Sequence, residues 1–144
     1  GHEHEIVYCA DKFGIDYRVY VAIAGAESSF GKKFPKEAKN LTGHCNGATR
    51  FTSIYHNIYA TSKLIGTAKY YTKYRRTGNL WDFLYVYKGV PPYKHYYVNL
   101  AFTFNGVGGI KIFTPPQIAA PRPLPKIDNL ASYPVASIAA LPTK

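Results

Sequence analysis

Eight acidic residues, Glu3, Glu5, Asp11, Asp16, Glu27, Glu37, Asp82 and Asp128, are the groups available for carboxylate chemistry. Most sit among polar neighbours and read as solvated charges or helix caps. Glu27 differs because it follows Val19-Tyr20-Val21-Ala22-Ile23-Ala24-Gly25-Ala26, the most apolar stretch of the first hundred residues. Burial there would disfavour the charged form and keep the carboxyl protonated near neutrality. A protonated carboxyl is what a general acid needs to hand a proton to a glycosidic oxygen. The plainer alternative is a last-turn helix residue paired with Lys32 or Lys33. Asp82, the only acid between residues 38 and 127, reads as a first-turn residue of its helix, where negative charge is stabilising anyway. His44, Cys45 and His56 lack zinc spacing, and His2 and His4 around Glu3 read as a solvated end, so no metal or cofactor is expected. Cys9 and Cys45 are too few for a disulfide scaffold, which leaves a pair or two buried thiols open.

The elements that would position Glu27 are helical. Ile6, Val7, Ala10 and Phe13 recur near helical spacing over 4–13, and Gly14 stops them. Asp16 is a good N-cap for a second helix over 17–28, ended by Gly31. Residues 32–52 lack periodicity and read as loop, with Pro35, Asn40, Gly43, Asn46 and Gly47 in it. Ser53 would cap a long third helix over about 54–75, buried along Ile54, Ile58, Ile65 and Ala68, with Arg75 and Arg76 suiting its C-terminal dipole. A short helix over 80–87 and a last one over about 93–104, apolar along Tyr97, Leu100, Ala101 and Phe104, complete a mainly α globule of about five helices. The fold thus falls within residues 1–114. Seven of the ten prolines lie in 115–144, so that segment reads as a Pro/Ala-rich linker or extended arm, able to thread along an assembly partner.

The chain carries 18 Lys and Arg against 8 Asp and Glu, a net charge of +10. Such an excess suits polyanions: nucleic acid, anionic membrane or acidic wall polymers. No apolar run approaches the roughly 20 residues of a membrane span. With no Met and no visible signal segment, the chain reads as a processed or truncated product. Lys69, Lys73, Arg75 and Arg76, interleaved with Tyr70, Tyr71 and Tyr74, could stack on single-stranded nucleic acid, although a solvated helix face accounts for them as well.

The run Glu27-Ser28-Ser29-Phe30-Gly31-Lys32, followed by Ala38-Lys39-Asn40-Leu41-Thr42-Gly43, resembles the lysozyme-like superfamily. It is most similar to bacterial and phage lytic transglycosylases and the endo-β-N-acetylglucosaminidases that cut peptidoglycan. Gly14-Ile15-Asp16 ahead of Ala22-Ile23, and Phe51-Thr52-Ser53 leading into the third helix, extend the resemblance over about 5–104. The resemblance implies a lysozyme-like fold with Glu27 as catalytic acid. Ser28 would help to position Glu27 or the sugar. Asn40, Leu41 and Gly43 would form a backbone edge along the glycan, and a turn needing positive φ is the simpler account of Asn40 and Gly43. Tyr87, with Tyr85 and Tyr93 as alternates, would be the cleft tyrosine. Leu41-Thr42-Gly43-His44 stands where transglycosylases often have Gly-Leu-Met-Gln, and Tyr85-Val86-Tyr87-Lys88-Gly89 replaces the usual Ala-Tyr-Asn. Without a second carboxylate, the N-acetyl group of the sugar could attack the anomeric carbon.

The expected activity is therefore cleavage of the β-1,4 glycan of peptidoglycan, outside the cytoplasm or on a phage virion. Anionic wall polymers are further expected partners. The alternative is a non-catalytic lysozyme-like component that binds glycan or builds a larger assembly such as a virion.

Overall fold

The computed structural model describes residues 1–107, so the expected arm over 115–144 lies outside the described residues. Within them are helices α1 (Glu3–Phe13), α2 (Tyr17–Ser28), α3 (Ile54–Thr67), α4 (Thr72–Thr77), α5 (Leu80–Lys88) and α6 (Lys94–Gly106). Short 3-10 turns occupy Lys36–Ala38 and Lys69–Tyr71, and no strand occurs among the described residues. The mainly α class holds, with six helices rather than about five.

Helix starts follow local chemistry. The Asp16 carboxylate accepts the Arg18 amide at 2.9 Å, Ser53 Oγ accepts the His56 amide at 2.9 Å, and Asn79 Oδ1 accepts the Trp81 amide at 2.8 Å. Each satisfies a donor that the first turn leaves unpaired. Gly14 closes α1 in the left-handed region at φ 63°. At the end of α2, which spans 17–28 as expected, the left-handed cap is Ser29 (φ 50°), followed by Phe30 (φ 58°) and Gly31 (φ 79°), so the cap is Ser29 and not the expected glycine.

The long helix expected over 54–75 is broken. Ala68 is extended (ψ 137°), and the chain re-enters a helix only at Thr72. The break turns Tyr71 and Tyr74 into the core, where both are buried. Arg75 folds back and its Nη1 donates to the Ile65 and Ala68 carbonyls at 2.7 and 2.9 Å, taking up acceptors that the break leaves open. The proposed basic and aromatic stacking patch is thereby dismantled, since two of its three tyrosines face inward and Arg75 is engaged.

Helix α2 lies at the centre. Val19, Ala22 and Ile23 pack with Ile65, Tyr71, Tyr74, Phe83 and Leu100 in one cluster. Tyr20 and Ala24 pack with Cys9 and Ile58 in a second. Burying side chains of this size stabilises by about 1.5–3 kcal/mol each. Cys9 and Cys45 are both free; Cys9 is buried, its thiol pushed up to about 11 by burial, and Cys45 is exposed. No helix among the described residues is long and apolar enough to cross a membrane.

The α1–α3 contact depends on a missing side chain. A Cβ on Gly66 would fall 2.5 Å from the Phe13 carbonyl oxygen and 2.7 Å from Phe13 Cβ. Gly66→Ala should therefore destabilise by about 1–3 kcal/mol in urea unfolding, despite the better helix propensity of alanine. A stabilised variant would contradict this close approach.

Candidate functional site

Glu27 stands on the last turn of α2, one turn beyond Ile23, the last α2 residue in the larger core cluster. It is exposed, which corrects the expectation of a buried carboxyl. The apolar run before it buries its own side chains, but the helix carries residue 27 past the edge of the core. Its neighbours there are α6 and the loop after the Lys36–Ala38 turn. Neither Lys32 nor Lys33 pairs with it. Instead the Tyr96 hydroxyl donates to Glu27 Oε1 at 2.6 Å.

Helices α2 and α6 cross so that the start of α2 meets Phe104, with the Arg18 guanidinium 4.2 Å from that ring, and its end meets Tyr96. Burial, then the hydrogen bond and charge of Glu27, push the Tyr96 hydroxyl far up, so it stays a donor throughout the physiological range. Tyr87 is raised in the same direction, by burial first and then by Tyr96 and Glu27. The two rings lie 6.4 Å apart, and Lys88 Nζ sits 5.6 Å from the Tyr96 ring.

Gly43 closes the other side of Glu27. It adopts φ 62°, and a Cβ added there would lie 2.6 Å from Glu27 Oε2 and 2.9 Å from its carboxyl carbon. Only glycine permits so close an approach of this backbone to the carboxyl. The loop is held by Asn40, which is buried: its Oδ1 accepts the His44 amide at 2.9 Å, and its Nδ2 donates to the His44 and Thr49 carbonyls at 3.0 Å each. The positive φ expected at Asn40 falls on Lys39 (φ 48°) instead.

Thr42 anchors the loop from below and is fully buried. Tyr20 donates to Asn57 Oδ1 at 2.8 Å, Asn57 Nδ2 donates to Thr42 Oγ1 at 2.9 Å, and Thr42 Oγ1 meets Thr61 Oγ1 at 3.0 Å. The Tyr87 hydroxyl donates to the Thr42 carbonyl. Side chains from α2, α3 and α5 thus converge on the residue that precedes Gly43.

The other expected site residues separate from this centre. Ser28 is buried; its hydroxyl donates to the Ala24 carbonyl at 2.8 Å and accepts the Gly31 amide at 3.0 Å, so it fixes the helix end that carries Glu27. Leu41 packs against the second core cluster and lines an apolar hollow of about 450 Å³ with Ile6, Val21 and Phe30, which Glu27 does not border. Tyr85 and Tyr93 pair with each other, ring centres 4.9 Å apart. Asp82 is held by Lys73 Nζ at 2.7 Å and by the Thr77 hydroxyl at 3.0 Å, and the Lys73 hydrogen bond keeps its carboxyl below the usual range. Among the described residues no cluster of three or more His, Cys, Asp or Glu is placed to hold a metal.

Tyr96 was missed because the buried stripe of α6, read correctly at Leu100 and Phe104, was begun at Tyr97. The inward positions are Tyr96, Leu100 and Phe104, with Thr103 Oγ1 3.1 Å from a Cβ position on Gly25. The i, i+4, i+8 spacing was the available signal. No protein-family model, curated protein or solved structure matches this chain.

Two consequences follow from the loop. Gly43→Ala should cost about 1–3 kcal/mol through left-handed strain and the clash with Glu27. Adding Glu27→Ala should recover part of that loss in a double-mutant cycle, whereas strictly additive effects would refute the contact. Burial lowers His44, and His56 likewise, below the ordinary 6.5. The unfolded chain then binds more protons just below pH 6.5, so stability is lost as pH falls through that value. The melting temperature should drop by about 1–3 °C from pH 7.5 to 5.5, and His44→Gln should reduce that drop.

Proposed function

We propose that this chain cleaves the β-1,4 glycan strand of peptidoglycan on a lysozyme-like helical scaffold, with Glu27 as the general acid. The observation that carries the reading is the split environment of the Glu27 carboxyl. Tyr96 occupies Oε1 as a hydrogen-bond donor, so the transferable proton belongs on Oε2. That oxygen lies against the Gly43 backbone, where a side chain would collide with it, and the exposure of Glu27 leaves the carboxyl reachable from solvent. A protonated Oε2 gives its proton to the glycosidic oxygen as the bond to the anomeric carbon breaks. Asp82 is committed to Lys73 and Thr77, so the developing positive charge falls to the N-acetyl carbonyl of the sugar. Release then goes to water or to the sugar's own 6-hydroxyl.

The net charge of +10 supports accumulation on an acidic wall, which fits an extracytoplasmic or virion-associated protein. The exposure of Glu27 favours one competing reading, a lysozyme-like component that binds glycan without cutting it.

Turbidity clearing of purified wall separates the two. The native chain should clear it, Glu27→Gln should lose about 10²–10⁴-fold in rate, and Tyr96→Phe should lower kcat by about tenfold with KM little changed. Equal clearing by native chain and Glu27→Gln would remove Glu27 from the mechanism. Retention on wall without clearing would establish the binding component.

A further inference from the structure

Helices α5 and α6 carry a second set of aromatic side chains, apart from the Tyr87–Tyr96 pair beside Glu27. Trp81 and Tyr97 stack in parallel, ring centres 3.9 Å apart and planes 6° from coplanar. Tyr85 lies 5.8 Å from Trp81 at 31°, and Tyr93 meets Tyr85 edge-on at 4.9 Å. Trp81 and Tyr85 are one helical turn apart on α5, whereas Phe83, between them in sequence, points into the core and stacks on Tyr87 at 5.2 Å. The α5 helix thus separates a core-facing row from an outward one. Tyr85 is 52% exposed, and Trp81, Tyr93 and Tyr97 are half-buried.

We infer that Trp81, Tyr85, Tyr93 and Tyr97 form a second glycan-binding platform, on which a pyranose ring stacks outside the Glu27 centre. The choice of ligand rests on the glycan reading above. The platform is built from amphipathic rings, whose apolar faces suit the C–H faces of a sugar and whose polar edges suit its hydroxyls. Among the described residues, the Trp81 indole N–H and the hydroxyls of Tyr85, Tyr93 and Tyr97 make no hydrogen bond, and none of them is a fully buried unpaired atom. The array is uncharged, and the adjoining acid Asp82 is neutralised by Lys73, which suits a neutral ring rather than a cation. The Trp81–Tyr97 stack is already closed at 3.9 Å and leaves no slot between its rings for a flat base to intercalate.

Trp81 is the single tryptophan of the chain, so tryptophan emission, excited at a wavelength that tyrosine does not absorb, reports on this platform. The full chain carrying Glu27→Gln, which removes cleavage, is titrated with peptide-free glycan strands of alternating N-acetylglucosamine and N-acetylmuramic acid. A saturable blue shift and a loss of affinity of about tenfold in the Tyr85→Ala variant are expected. Thermal melts of Tyr85→Ala check that it stays folded, and Tyr85→Phe should restore most of the affinity. No tryptophan response to glycan, or a Tyr85→Ala affinity within about twofold of its parent, overturns the platform. A salt-sensitive response to single-stranded oligonucleotide alone, a response to polyproline peptide alone, or a shift driven only by protein concentration overturns it in favour of nucleic acid, a peptide or a second copy. Fluorescence binding without wall clearing by the native chain would keep the platform and reject the catalytic role of Glu27. Clearing without a tryptophan response would do the reverse.

Discussion

The arrangement around Glu27 depends on one buried polar knot, the hydrogen bonds that gather on Thr42. Tyr20 from α2, Asn57 and Thr61 from α3 and Tyr87 from α5 reach this residue directly or through Asn57. Each group is deeply covered, so an unmade bond here would leave a desolvated donor or acceptor, which costs about 1–3 kcal/mol. That penalty holds the loop in a single register. With Thr42 fixed, Gly43 has only one place to be, against the carboxyl of Glu27. Asn40 performs the same service for the outer part of the loop, binding both the amide and the carbonyl of His44. A segment without α-helix or strand is thus tied to three helices.

Much of the scaffold was legible because its signals are local. Asp16 and Ser53 accept the amides two and three residues ahead of them, and Gly14 takes the left-handed cap; no distant residue is needed to read either. The break at Ala68 was not legible, since nothing in residues 64–72 forbids a continuous helix. Burial of Tyr71 and Tyr74 and the reach of Arg75 decide it, and all three are tertiary effects that override propensity. The exposure of Glu27 was hidden for the same reason. The hydrophobicity of the preceding run describes the environment of that run and not of the residue that follows it. Ser28 shows the other side of the problem: its position beside Glu27 was visible, but the use of its hydroxyl within its own helix end was not.

The tyrosines show how a helix pair divides labour by register. Tyr87 and Tyr96 face the knot and Glu27, whereas Tyr85, Tyr93 and Tyr97 gather with Trp81 elsewhere on the same two helices. A shift of one or two residues in helical phase exchanges these roles, because each residue turns the side chain by about 100°. Choosing among 14 tyrosines by residue type could not resolve that phase. The partner contacts resolve it, Leu100 and Phe104 sharing the stripe of Tyr96.

On the proposed reading, cutting glycan and not merely holding it would depend on one oxygen atom, Oε2 of Glu27. Tyr96 is raised by burial and by Glu27, so it cannot serve as a base and is confined to donating toward Oε1. Asp82 is neutralised by Lys73 at 2.7 Å, so a two-carboxylate mechanism through that acid would require breaking an ion pair that already lowers its proton affinity. On the proposed reading, chemistry would run through Oε2 and the substrate's own nucleophile. The close approach of Gly43 to Oε2 is permitted by the absence of a side chain at residue 43 and held by the knot beneath it. The same hydrogen bonds that tie down the loop thus place its backbone as one wall beside the Glu27 carboxyl.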